Sequence, residues 1–337
     1  MKILIIKISA IGDVLRTTTI LHGVKRTWPG SEVWWLTSGE AVELLKENNY
    51  INNVLEFNKK NAAFLKTTTF DLLISLDKEK DVILLADKIS ADRKIGFGCD
   101  TNEELSYFNK ESEYAYRLGI SDELKFRINK KTYPEIIYGM CGLGYENDRY
   151  ILNLRDVELE GARHKLECMG IKHTDFILGL NTGAGPSFAN KIWRFEKHKA
   201  LIGEILKNTD IKVILLGGKR EEALNKKLKN VFKERVYDSG SDNSLRGLAS
   251  IISHCSIIIS GDTLAMHIAI ALNKYIVSIF GSTCSQEIEL YGNGRKIVSE
   301  IGCAPCYKRV CEKKDNCMTR IKTSEVLEAI NRLEVKS

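Results

Sequence analysis

The chain lacks any apolar stretch approaching the roughly 20 residues that a membrane-spanning helix needs, so no such span is expected. Its first apolar run, residues 2–8, is short and carries Lys7, which spoils the core of a signal peptide; a cytoplasmic protein is the expectation. No compact basic run is interleaved with aromatics, and nucleic acid is therefore not an expected partner. The three glycines of the dinucleotide fingerprint are missing, as is the Gly-Lys-Ser/Thr of a P-loop, so neither cofactor class is indicated. Disulfides are not expected either, because nine cysteines in a cytoplasmic chain argue for free thiols or a metal cluster.

What is present is an ordinary globular composition, 44% hydrophobic and 28% charged, which excludes disorder as the default. A length of 337 residues exceeds one typical core and predicts two domains of about 150 residues each. Residues 1–165 carry 24 Lys+Arg against 25 Asp+Glu, and residues 166–337 carry 26 against 19. The basic second half suits a phosphate-bearing ligand, and suits scattered solvated lysines equally well.

Short apolar runs at 2–8, 32–37, 53–57, 71–76, 176–181, 212–216, 256–260 and 275–280 read as strands. Between them lie helical patterns such as 14–28, 195–207, 221–232 and 263–272. Strands without clean alternation, each followed by a helix, predict parallel sheets covered on both faces, hence an α/β fold of two doubly wound units. The polar, helix-forming stretch 156–173 separates the two series, giving expected domains 1–165 and 166–321. A final helix within 322–337 is expected to pack back on the first domain. Ligands in such sheets bind beyond the carboxyl ends of the strands, so two facing units would enclose a cleft.

Four strand-end stretches could carry chemistry. In Lys7-Ile8-Ser9-Ala10-Ile11-Gly12-Asp13, the acid suits a helix N-cap or a general base at the mouth of the cleft. In Ser260-Gly261-Asp262-Thr263-Leu264-Ala265-Met266-His267, a strand runs into a helix whose first-turn amides and positive dipole end make a diphosphate site. Thr263 and His267 share a face there; Asp262 again suits an N-cap, and His267 a packed core histidine. The loop Asn181-Thr182-Gly183-Ala184-Gly185-Pro186-Ser187-Phe188-Ala189-Asn190-Lys191 reads either as a connector or as a phosphate cradle whose Lys191 neutralises a leaving diphosphate. In Gly217-Gly218-Lys219-Arg220-Glu221-Glu222, Glu221 or Glu222 could bind a ribose hydroxyl, although a helix start is the leading reading.

Together these stretches resemble glycosyltransferase family 9, the ADP-heptose heptosyltransferases of lipopolysaccharide core assembly. The resemblance rests on residues 7–13, on Lys191-Ile192-Trp193, on Gly261-Asp262-Thr263 through Met266-His267, and on Phe280-Gly281-Ser282-Thr283. It implies a GT-B architecture of two Rossmann-like domains, acceptor domain first and nucleotide-sugar domain second, and an inverting transfer that needs no cofactor for catalysis. By position it implies Asp13 as the base and Lys191 at the donor phosphates. Thr182, Gly183, Glu221, Asp262, Thr263, Leu264, His267 and Ser282 would form the donor site, and Ser9 and Gly12 the acceptor-side loop. Leu264 stands where the family commonly has glycine, and Lys219-Arg220 precede the acidic ribose contact.

The implied partners are ADP-heptose and a glycan or glycolipid acceptor, compatible with peripheral association at the inner face of the cytoplasmic membrane. A nucleotide-sugar epimerase of the same plan and a non-catalytic nucleotide-sugar or metal-binding protein are the alternatives. Cys303, Cys306, Cys311 and Cys317 form C-x2-C-x4-C-x5-C, a spacing able to close a structural zinc or iron site or to remain four reduced thiols. Similar clusters in some family members point to a structural role.

Overall fold

A computed structural model describes residues 1–184 and 191–334. Its contacts divide the chain into two units, residues 1–153 with 286–289, and residues 154–285 with 290–337. The division falls at Asn153/Leu154, 12 residues before the expected boundary. The reason lies in the helix Asp156–Cys168, whose Glu158 pairs with Arg246 at 2.6 Å and so joins the second unit.

The first unit contains β1 (Lys2–Ile6), β2 (Glu32–Thr37), β3 (Asn53–Glu56), β4 (Thr69–Ser75), β5 (Ser90–Cys99) and β6 (Leu105–Tyr107). They form one sheet in the order β3-β2-β1-β4-β5-β6, parallel except for the β5–β6 edge. The second unit contains β7 (Ile177–Asn181), β8 (Lys212–Leu216), β9 (Val236–Asp238), β10 (Ile257–Gly261), β11 (Tyr275–Phe280) and β12 (Gly294–Val298). Their order is β12-β11-β10-β7-β8-β9, entirely parallel. Both are Rossmann orders, with the winding reversing between β1 and β4 and between β7 and β10.

The apolar runs become strands because both sheet faces are covered. Ile3 and Ile5 of β1 enter one core cluster, with Val14 and Leu21, while Leu4 and Ile6 enter the opposite one, with Leu73 and Val82. In the second unit Leu178, Ile257 and Val277 build a core that also takes in Val326, Ala329 and Ile330. The C-terminal helix Thr323–Glu334 therefore belongs to the second unit, packed on β11, β12 and the helix Phe195–Asn208. Its apolar stripe completes the second core.

The predicted helix 14–28 is two helices, Ile11–Thr17 and Ile20–Thr27, broken at consecutive threonines. Thr17 and Thr18 hydroxyls donate to the carbonyls of Asp13 and Leu15, and that of Thr19 to Asp148. Gly96 has φ +94°, and a Cβ there would lie 1.9 Å from the Ser75 carbonyl oxygen, so only glycine lets β5 close on the end of β4. No helix among the described residues is long and apolar enough to cross a membrane.

Candidate functional site

At the reversal point of the first sheet, β1 and β4 end side by side at Lys7 and Asp77. Asp77 is buried, and one of its carboxylate oxygens accepts from the Ile8 and Ser9 amides at 2.7 and 3.1 Å and from the Lys7 ammonium at 3.4 Å. Burial pulls the Lys7 ammonium down, but Tyr133, Asp13 and Asp77 outweigh it and hold the pKa above its ordinary value. The loop carrying Ser9 is thus fastened to the sheet by one carboxylate.

Asp13 is the third residue of the helix Ile11–Thr17 and not its N-cap, which is Ala10. Its carboxylate reaches back to the Ala10 amide at 3.4 Å and pairs with the Arg16 Nε at 2.9 Å, while its side chain stays 35% exposed. The Arg16 guanidinium lies 3.8 Å above the ring of Tyr133, whose hydroxyl meets that of Thr17 at 2.7 Å. Tyr133 is placed by a capping box: the Thr132 amide donates to Glu135 at 2.6 Å at the start of the helix Tyr133–Cys141. Arg16 stays charged because Asp13 and Tyr133 outweigh its burial.

These groups wall a cavity of about 400 Å³ together with Lys78, Lys125 and Glu287. Enclosure by the cavity walls, with Lys125 and Lys7 nearby, brings the Lys78 ammonium down to about 8. Of the residues expected here, Ser9 and Asp13 line the cavity, and Gly12 is buried in the helix behind them. The sequence reading missed Asp77, Arg16 and Tyr133. Asp77 and Tyr133 act through partners distant in the chain, whereas Arg16 pairs with Asp13 three residues before it, so Arg16 at that helical spacing and Tyr133 beside Pro134, a helix-start signal, could have been found early.

At the reversal point of the second sheet, Lys191 donates to the Asp262 carboxylate at 2.8 Å and to its carbonyl at 3.0 Å. The side chains are 13% and 18% exposed. Burial pushes the Asp262 carboxyl up, yet Lys191, His267 and the Thr283 hydroxyl more than offset this and hold it below its ordinary value. The N-cap of the following helix, Leu264–Ala271, is Thr263 and not Asp262. His267 is buried, with Nε2 3.9 Å from Asp262.

Asn181 joins the two strand ends. Its amide nitrogen lies 2.9 Å from the Gly183 carbonyl, 3.2 Å from the Ser260 hydroxyl and 3.2 Å from the Thr263 hydroxyl. Ser260 and Thr263 hydroxyls meet at 2.9 Å. Asn181 and Ser260 had no role in the sequence reading, since nothing local marks an amide that bridges two strands. A small cavity lies among Asn181, Thr182, Gly183, Lys191, His198 and Ser260.

Other expected donor residues are placed as follows. The Thr182 hydroxyl donates to Asn225 at 2.6 Å, a tie to the helix Glu222–Phe232. The Glu221 carboxylate accepts from the Gly218 amide at 2.9 Å and packs on Gly183, where a Cβ would meet it at 2.3 Å. A side chain at 183 would therefore displace that carboxylate. Leu264 opens its helix half-buried. Ser282 is fully buried away from the cavity wall, and its carbonyl accepts from the Cys306 and Tyr307 amides. Residues 185–190 of the expected phosphate loop lie outside the described residues.

For a metal site at Cys303, Cys306, Cys311 and Cys317 the structure gives no support. Among the described residues no group of three or more His, Cys, Asp or Glu side chains could hold a metal ion. Cys303 is exposed, whereas Cys317 is buried in the core against Gly281, where a Cβ would meet its sulfur at 2.8 Å. Burial first, and then the neighbouring thiols of Cys306, Cys311 and Cys303, raises the Cys317 thiol.

A family model described as glycosyltransferase family 9 (heptosyltransferase) matches residues 59–316. Lipopolysaccharide heptosyltransferase 1 of Campylobacter coli is 23% identical over 363 residues, with 99% of each chain covered. The crystal structure of a family 9 glycosyl transferase from Veillonella parvula superposes with a TM-score of 0.77 at 17% identity, covering 100% of this chain and 97% of that one. The structure of the E. coli ADP-heptose lps heptosyltransferase II gives a TM-score of 0.70 at 16% identity, covering 100% and 99%. These likenesses carry the GT-B fold class.

Proposed function

The chain belongs to glycosyltransferase family 9, the heptosyltransferases, and on that premise we propose that it moves a heptose from ADP-heptose, with inversion, to a hydroxyl of a lipopolysaccharide-core saccharide. That it is a glycosyltransferase of the lipopolysaccharide heptosyltransferase family follows from the match itself. The donor, the stereochemistry and the residue roles are our reading.

In this reading Asp13 takes the proton of the acceptor hydroxyl as its oxygen attacks the anomeric carbon. The bond from that carbon to the diphosphate breaks on the opposite side, which inverts the centre, and ADP leaves with the electron pair. Charge develops on the departing diphosphate, and groups fixed in advance where it appears lower the barrier. Lys191 supplies a cation there, and the first-turn amides of the helix Leu264–Ala271, which no helix satisfies internally, supply donors. Arg16, held over Tyr133, orients the Asp13 carboxylate. Asn181 sets Thr263 and Gly183 in register at the donor end.

The observation that carries the reading is the Asp13 carboxylate on the wall of a 400 Å³ cavity, oriented by Arg16 yet open to a solute. The test is incubation with ADP-heptose and a core saccharide, followed by mass and NMR analysis of the products. ADP and a glycoside of inverted anomeric configuration are expected. Retained configuration, or an epimerised nucleotide sugar formed without acceptor, overturns it.

A further inference from the structure

The wall of the Asp13 cavity takes one residue from far along the chain. Residues 286–289 follow β11 and precede β12, yet by their contacts they belong to the first unit. Two hydrogen bonds fasten them there. The Tyr133 amide donates to the Glu287 carbonyl at 2.8 Å, and the Gln286 side-chain amide donates to the Lys125 carbonyl at 3.1 Å. Ile288 is buried next to them. The backbone of Glu287 is thus held by the tyrosine on which Arg16 stacks, and the half-buried Glu287 lines the cavity. Asp77 accepts from Lys7 and two amides, Asp13 pairs with Arg16, and Glu79 is exposed. The Glu287 carboxylate, in contrast, makes no hydrogen bond or ion pair among the described residues. Burial works against the Arg16 and Lys78 cations and the charge of Glu287 works in their favour, so it lies near both without bonding to either. Lys78 donates instead to the Ala115 carbonyl at 3.1 Å, over the ring of Phe97.

We propose that Glu287 is a specificity residue of the transfer, its carboxylate accepting a hydrogen bond from a second hydroxyl of the saccharide that presents the first to Asp13. An ionised carboxylate accepts and does not donate, so the group it fits is a donor, and a sugar hydroxyl is one. Leaving such an acceptor partly withdrawn from water and unpaired costs free energy that a donor carried by the ligand recovers. Arg16 lies against Asp13 and within the electrostatic reach of Glu287, so one saccharide unit can meet both carboxylates. The assignment of the first hydroxyl rests on the transfer reading, whereas the contact with the second is measured without turnover.

The test is calorimetric titration of the full chain with a core saccharide and with its monodeoxy analogues, each lacking one hydroxyl other than the accepting one. Wild type, Glu287→Ala and Glu287→Gln are compared, and transfer kinetics are taken on the same set. Glu287→Ala should weaken binding of the parent saccharide roughly 10- to 100-fold, the range of a hydrogen bond to a charged group. One monodeoxy analogue should bind the wild type more weakly by a similar factor and lose nothing further in Glu287→Ala, as expected when both changes remove one contact. Glu287→Gln keeps an acceptor oxygen without the charge and should lose less. In transfer the acceptor KM should rise, with kcat and the donor KM within about twofold of wild type. Both variants should keep the wild-type unfolding midpoint; if Glu287→Ala does not, the same cycle is read on Glu287→Gln. Wild-type affinity in the variants, the same further loss for every analogue, no saccharide binding by the wild type, or a fall in kcat at unchanged KM overturns the proposal. The expected binding pattern in a protein that transfers no sugar would refute the transfer reading alone.

Discussion

The two sheets reverse their winding at equivalent places and put a lysine–aspartate pair at each, yet the pairs do different work. Lys7–Asp77 is closed off, 9% and 6% exposed at 3.4 Å, and its carboxylate also holds the Ile8 and Ser9 amides. Lys191–Asp262 is tighter, 2.8 Å, but remains partly open beside a helix N-terminus. In the first unit the strand-end carboxylate is a fastener, which leaves a second acid, Asp13, on the cavity wall. In the second, on our proposal, the carboxylate holds a cation in place for an anionic ligand. The same fold feature would then serve support in one unit and ligand contact in the other.

The largest expected effect falls on Asp13, the base we propose. Asp13→Asn should lower kcat about a thousandfold with the unfolding midpoint unchanged, since removing a general base costs 10² to 10⁴. The two lysines then sharpen the comparison. Lys7→Met strands a buried carboxylate and should cost about 3 kcal/mol in denaturant unfolding, and Lys191→Met, whose partner Asp262 is partly exposed, about 1–2 kcal/mol. Only Lys191→Met should also raise the donor KM, with kcat/KM down about a hundredfold. A comparable rise in Lys7→Met would break the distinction.

Asn181→Ala should reduce kcat/KM for the donor about tenfold through loss of two to three hydrogen bonds, with KM for the acceptor unmoved. The acid limb of stability tests a tie inside the second unit. Hydrogen bonds from Arg246, and then Arg155, hold the Glu158 carboxyl far below its ordinary value. A depressed carboxylate contributes stability above its unfolded pKa, about 4.3, and loses it as pH falls toward the folded value. Glu158→Gln should therefore cost about 1–2 kcal/mol at pH 7, the two partners being partly solvated, and the gap to wild type should close below pH 4. The smallest effects belong to the cysteines: Cys317→Ser about 1–2 kcal/mol from core burial, and Cys303→Ser within about 0.5 kcal/mol.

The central strands were legible because burial on both faces leaves an unbroken apolar run, as in residues 2–6 and 257–260. Other strands were not. β5 opens with the polar run Ser90 to Lys94, β12 at one sheet edge pairs only with β11, and β9 at the other edge spans three residues, so none has an apolar run to read. The charged residues Asp13, Lys191 and Asp262 stood out in the sequence because each lies in a segment that follows an apolar strand, where a charge needs a partner or a ligand. Their supports did not stand out. Asp77 meets Lys7 across 70 positions, and Asn181 meets Thr263 across 82. The cysteine spacing could not show that Cys317 faces the core while Cys303 faces solvent.

The most direct measurement of the division between the two units is made on one preparation of Asp13→Asn, titrated with ADP-heptose by calorimetry and assayed for transfer. The account predicts wild-type donor affinity, within about twofold, with turnover almost abolished. Wild-type turnover, or donor affinity lost in step with activity, would contradict it.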